Sequence, residues 1–237
     1  MVVISQSSVS NFLLQSLAEP DFALLQPHLE PVTLSLRHSI ADANKPIKYA
    51  YFLDSGVASV VAVRSDGTSI EAGIYGREGL GGIALLLGSD QTPHDHYMQI
   101  AGAGHRIKKA SFTHAVEQSP LLRNLLVRFV HVFTVQAAQT ALANGSASIE
   151  ERLARWLLMC SDRMDGDQIE ITHQFLAMML CVRRPGVTDA MHLLEGKGLI
   201  RAVRGTITIR DCAKLEKVAG ASYGLPEAEY RRLIGAF

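Results

Sequence analysis

The sequence predicts an α+β chain in three successive parts: an N-terminal β-roll or jelly roll, one long helix, and a helical unit closed by a short hairpin. Three observations predict it. From residue 30 to about 110, apolar and polar side chains alternate and glycines interrupt them; residues 121–142 switch to helical spacing; and residues 148–209 run helix, helix, turn, helix, hairpin. The expected spans are 1–118 for the roll, 119–146 for the long helix and hinge, and 147–237 for the last unit with its helical tail.

The roll is read from its strands and turns. Val32, Leu34 and Leu36 alternate with Thr33, Ser35 and Arg37, the pattern of a half-buried strand. Two β-rich runs flank Ser65-Asp66-Gly67, and Asp-Gly supplies the positive φ of a tight hairpin. Further strands are expected at Tyr97–Ala101 and His105–Lys108, across a glycine-rich turn. Many short strands with glycine turns suit a small barrel or jelly roll.

The long helix starts at Ser119-Pro120, a serine cap with proline in the first turn. Leu122, Leu126, Phe129 and Phe133 step by four, three and four, a coiled-coil-like stripe. Such a stripe needs a partner, either its own β domain or a second copy. The expectation is a homodimer helix serving both, with these four residues as the interface. Ala143-Asn144-Gly145-Ser146 reads as a breaker and the domain boundary.

Ser148 and Glu151 form an S-x-x-E capping box for the next helix, which carries Leu153, Trp156, Leu157 and Cys160 on one face. A second helix starts at Thr172 and a third runs from about Arg184 to Gly196, after a turn at Cys181-Val182. Leu199-Ile200 and Thr206–Ile209 flank Arg204-Gly205 as a hairpin, which completes a winged helix-turn-helix. The third helix turns Val187, Met191 and Leu194 inward and presents Arg183, Arg184, Gly186 and Thr188 at its amino-terminal end, as a DNA-reading helix must. Arginine can pair with O6 and N7 of guanine, and a threonine methyl can touch a thymine methyl. Arg201 and Arg204 on the wing, and Thr172 as helix cap, are expected phosphate contacts.

Composition narrows the function classes. The 237 residues are 48% hydrophobic and 19% charged, as in globular proteins. Net charge is zero, yet residues 183–210 hold six basic and two acidic side chains, a local +4 suited to a polyanion at one face. No uninterrupted apolar run reaches the roughly 18 residues of a membrane span, and the start MVVISQSSVSNFLLQSL has no basic leader region. Three cysteines without a C-x-x-C fit a reducing, cytoplasmic setting and give neither a disulfide framework nor a zinc site. There is no G-x-S-x-G and no P-loop, so an enzyme is not expected.

The run ITHQFLAMMLCVRRPGVTDAMHLLEGKGLI followed by RGTITIRD resembles the Crp/Fnr family of bacterial transcription regulators. YFLDSGVAS and GREGLGG resemble that family's cyclic-nucleotide-binding-like roll, and residues 121–142 its central helix. The resemblance covers roughly residues 10–210. It implies a homodimer on a palindromic stretch of double-stranded DNA, with RNA polymerase as a candidate further partner and no membrane role. It also implies an effector pocket at Gly76, Arg77, Glu78 and Gly79. The chain departs from the family's cyclic AMP binders: Leu85-Leu86-Leu87-Gly88 stands where an Arg-Ser or Arg-Thr pair is expected. Residues 88–104 hold no lysine or arginine but include Asp90 and Asp95. Burying a phosphate there without a cation costs several kcal/mol, so cyclic AMP is not the expected effector. With no cysteine before Cys160, an iron–sulfur centre of the family's oxygen sensors is not expected either. His28, His38, His94, His96 and His105 leave haem open; His94 and His96 read as a polar loop in preference to a metal-ligating pair, and Cys181 as a small buried residue in preference to a redox switch. The competing class is a regulatory module of this roll without direct DNA binding, against which the winged helix speaks.

Overall fold

The computed structural model describes residues 4–236 of the chain. Residues 1–3 and 237, part of the first and last expected spans and of the stretch read for a leader, lie outside the described residues. Two short helices open the chain, α1 (Phe12–Gln15) and α2 (Glu19–Leu25). The roll follows as β1 (Glu30–Leu34), β2 (Ser39–Ala41), β3 (Tyr49–Leu53), β4 (Val57–Val63), β5 (Ser69–Tyr75), β6 (Leu80–Gly81), α3 (Ile83–Leu86), β7 (Asp95–Ile100) and β8 (Gly102–Lys108). Helices α4 (Lys109–Gln118) and α5 (Pro120–Ser146) lead out of it. The last part contains α6 (Ile149–Ser161), β9 (Gln168–Glu170), α7 (His173–Met179), α8 (Arg184–Gly196), β10 (Ile200–Val203), β11 (Thr206–Ile209), α9 (Cys212–Ala219) and α10 (Leu225–Leu233).

The roll is two four-stranded antiparallel sheets, ordered β1-β8-β3-β6 and β2-β7-β4-β5. Ala58, Val60, Met98 and Phe52 belong to the core between them. The expected hairpin is β4–β5, with Gly67 at φ 83° in its turn. The first strand is shorter than its alternation suggested: it ends at Leu34, and Leu36 lies in a turn, 56% exposed. No glycine-rich turn separates the two later strands; Ala101 alone lies between β7 and β8, which pass to different sheets. His96 sits within β7 and is buried, not in a polar loop, and burial pulls its pKa down to about 4.

Ser119 caps α5 as its sequence suggests, accepting from the Leu122 N–H. The helix does not stop at Ala143; it continues through Asn144 and Gly145 to Ser146, where the Ser146 hydroxyl donates to the Leu142 carbonyl. A glycine in a helix costs only about 1 kcal/mol, and Ala143 is buried at this end.

The interface assignment of the stripe needs correcting. Leu122, Leu126 and Phe129 are at most 2% exposed within a single chain and belong to the roll core, and half-buried Phe133 packs its ring against Tyr75 and Phe129. Burying such side chains stabilises by roughly 1.5–3 kcal/mol each, and the roll already collects that gain. By length and composition α5 is long and apolar enough to cross a membrane, with a window of mean hydropathy 1.3. Leu122, Leu126 and Phe129 of this helix pack on the roll.

The last part is seated on the outer face of sheet β2-β7-β4-β5. Val57, Ile74 and Ile100 of the roll share a core with Leu153, Trp156 and Leu157 of α6. Polar groups close this joint. Trp156 Nε1 donates to Glu71 Oε1 at 2.9 Å, and Ser59 Oγ donates to Glu71 Oε2 at 2.6 Å. Arg163 Nε donates to Glu78 Oε1 at 2.7 Å, with both side chains 3% exposed.

Candidate nucleic-acid interface

The reading helix is built as its spacing requires. Val187, Ala190, Met191 and Leu194 are buried on the inner face of α8. Pro185 occupies the first turn, where the helix has spare N–H positions. The Ser148–Glu151 capping box forms both of its hydrogen bonds and fixes the start of the supporting helix α6. Sheet β10-β11-β9 makes the wing, its third strand unforeseen in the sequence. Val203 pairs with Thr206, so Arg204-Gly205 is a two-residue loop, with φ 47° and 86°. Both positive angles mark a hairpin turn matched to strand twist.

Arg183, Arg184, Arg201 and Arg204 are all exposed. Among the described residues none of their guanidinium groups has a hydrogen bond or ion pair. Two nearby charges are already engaged: Lys197 pairs with Glu150, and Glu195 accepts from the Ala202 N–H. Four unpartnered cations at one end of the molecule are an electrostatic footprint for phosphate.

The other predicted contacts differ. Thr172 is exposed and caps α7, accepting from the Phe175 N–H at 3.3 Å. Thr188 is half-buried, and its hydroxyl meets His173 Nδ1 at 3.2 Å and the Arg184 carbonyl at 3.3 Å. Gly186 has a packing reason instead: a Cβ there would lie 2.9 Å from Ile149 Cδ1. The sequence reading missed Gln174, close to Thr172 in the chain. Both line a cleft of about 1180 Å³ between α7 and the roll, whose far wall carries Arg37 with its guanidinium 4.5 Å from the Phe175 ring centre. Cys181, expected buried, is exposed at φ 50° in the turn before α8.

The expected effector pocket is not open. Glu78 is 2% exposed; one oxygen binds Arg163 and the other accepts from the Gly76 N–H. Arg77 donates to Asp165 and to the Met164 carbonyl. A Cβ at Gly76 would meet Arg163 Cβ at 2.8 Å, and one at Gly79 would meet Phe129 at 2.8 Å. The glycines of this turn let α5 and the end of α6 approach, and the space beside Glu78 is about 10 Å³, at most the room of a single water. No spacing in the sequence pointed to Arg163, which stands between Asp162 and Asp165 just beyond α6.

Residues 151–218 match the family model of the Crp-like helix-turn-helix domain. No curated protein sequence matches the chain. Among solved structures, FixK2 from Bradyrhizobium japonicum is similar at 17% identity and TM-score 0.70, covering 81% of this chain and 98% of its own. A CRP-family transcriptional regulator from Thermus thermophilus is similar at 17% identity and TM-score 0.67, over 80% and 97%. A regulator described as of the crp/fnr family from Eubacterium rectale is similar at 18% identity and TM-score 0.67, over 87% and 97%. Residues 151–218 are thus a Crp-like helix-turn-helix domain, and together with the roll and the long helix the chain has the fold of the CRP/FNR transcriptional regulators.

Proposed function

We propose that the chain acts in the cytoplasm as a homodimer on a palindromic operator, by binding and without catalysis. Helix α8 enters the major groove, Arg183 and Arg184 address base edges, and Thr172, Arg201 and Arg204 hold phosphates. RNA polymerase is the candidate partner beyond DNA. The observation that carries this is the set of four exposed arginines at the α8 entry and the wing, without partners among the described residues. Cyclic AMP is not its effector, since the turn at Gly76–Gly79 is closed by Arg163.

The second copy sits on the opposite face of α5 from the one first expected. Val127, Thr134, Ala138 and Leu142 follow one another there at spacings of seven, four and four, with Val127 41% and Leu142 59% exposed. Selection of genomic fragments on the immobilised protein, followed by footprinting, tests the reading. Two half-sites about 34 Å apart, one helical turn, are expected; no enrichment over random DNA overturns it. Val127→Glu with Leu142→Glu should give folded monomers by ultracentrifugation, and a persistent dimer overturns the face.

A further inference from the structure

The tail of the chain occupies a place that the DNA-binding reading leaves unexplained. Residues 219–237 lie beyond the matched helix-turn-helix domain, yet helix α10 within them returns to the roll. Tyr230 of α10 is fully buried in the roll core, with Leu233 and Ile234 packed against it. Pro226 and Glu227 line the residual 10 Å³ space with Glu78, Phe129, Gln136 and Arg163. His131 of α5 meets Glu229 at 2.9 Å, and Arg128 donates to the Leu233 carbonyl at 3.1 Å.

The same tail grips α6. Arg155 is 6% exposed; its Nε donates to the Ser222 carbonyl at 2.9 Å, and its Nη2 to Thr140 Oγ1 of α5 at 3.1 Å. Tyr223 donates to Asp162 at 2.9 Å. Three bodies therefore meet at one corner: the roll turn, the long helix and the first helix of the DNA-reading half. The tail fills that corner. In a two-state domain pair, whatever fills such a corner sets the orientation, because packed interfaces are bistable and not continuously deformable.

We propose that α10, together with Arg163, is a built-in brace that fixes the DNA-reading half on the roll, so that operator binding requires no diffusible effector. This rests on the reading that the chain binds DNA.

The test uses the full chain and its Tyr230→Ala variant. Hydrogen exchange is measured first, without DNA. The brace requires Tyr230→Ala to lose protection along α6 and β5 while β3 and β8 stay protected. Unchanged protection of α6 and β5 overturns it. If β3 and β8 also lose protection, Glu229→Ala, which cuts the contacts to His131 and to Arg232 of its own helix, replaces it under the same criterion.

Second, the full chain is unfolded in urea, dialysed and refolded to strip small molecules, and its affinity for a selected genomic fragment is measured. Unchanged affinity is expected. An affinity that falls after stripping and returns with cell extract overturns the proposal. The Tyr230→Ala variant should bind about tenfold more weakly, as when a competent orientation is populated a tenth of the time. A chain that binds no fragment at all refutes the DNA reading, while the exchange result still decides whether the brace exists.

Discussion

Two regions with similar composition behave in opposite ways. The turn at Gly76–Gly79 and the entry of α8 each contain arginine close to glycine. At the turn, Arg77 is bonded to Asp165 and Met164, and Glu78 to Arg163. At the α8 entry, the guanidinium groups of Arg183 and Arg184 are exposed and have no partner among the described residues. A buried charge must be paired, since removing it from water unpaired costs several kcal/mol. An exposed, unpaired one stays available to a partner from outside. The difference separates a structural joint from a working surface, and it can be broken at either end.

The largest effect is expected at the joint. Arg163→Ala leaves Glu78 buried without its cation and should destabilise the protein by about 3–5 kcal/mol in urea unfolding. A loss under about 1 kcal/mol would mean that the pair is not what closes the turn.

Next comes pH. Burial pushes the Glu71 carboxyl up to about 7, against the hydrogen bonds from Ser59 and Trp156 and the nearby charges of Arg155 and Arg163. A raised carboxyl favours the proton-bound, neutral form in the fold. Its contribution is therefore fully present below the ordinary value of 4.5 and lost as pH rises to about 7. Relative to Glu71→Gln, the natural protein should lose on the order of 3 kcal/mol across that window. Parallel stability curves for the two proteins would show that Glu71 does not carry the change.

For the arginines of the open end the effects fall on DNA and leave stability within about 0.5 kcal/mol. Arg184→Ala should cost about 1–3 kcal/mol on the specific site and relax preference at one base pair per half-site. Arg204→Ala should weaken all sequences alike and flatten the salt dependence. Equal loss on specific and random DNA for Arg184→Ala would reassign it to phosphate. The smallest effect belongs to Cys181, whose φ of 50° suits glycine better; Cys181→Gly should stabilise by about 0.5–1 kcal/mol without changing affinity.

How legible each region was follows from the range of its interactions. The α8 register of Val187, Met191 and Leu194 is local, set by a helical period, and the sequence displays it directly. So are the Ser148–Glu151 box and the Asp66-Gly67 hairpin. The stripe at Leu122, Leu126 and Phe129 was visible as a stripe, but its partner was not. Periodicity shows that a face must be covered; it does not say by what, and here the chain's own roll covers it. Glu78 with Arg163 and Glu71 with Trp156 join residues 85 positions apart. No spacing rule announces such pairs, and each side chain alone reads as an ordinary surface charge or core aromatic. Cys181 was misread for a related reason: its small apolar side chain suits a core, while its backbone places it at a left-handed turn.

The chain holds one tryptophan, Trp156, and it lies within the joint, 2% exposed and bonded to Glu71. Its indole is a native optical reporter. Emission from a buried indole is blue relative to one in water, and an adjacent carboxylate forms as Glu71 ionises. Emission wavelength and acrylamide quenching therefore follow the seat of the DNA-reading half on the roll in the unlabelled protein, at micromolar concentration and in real time.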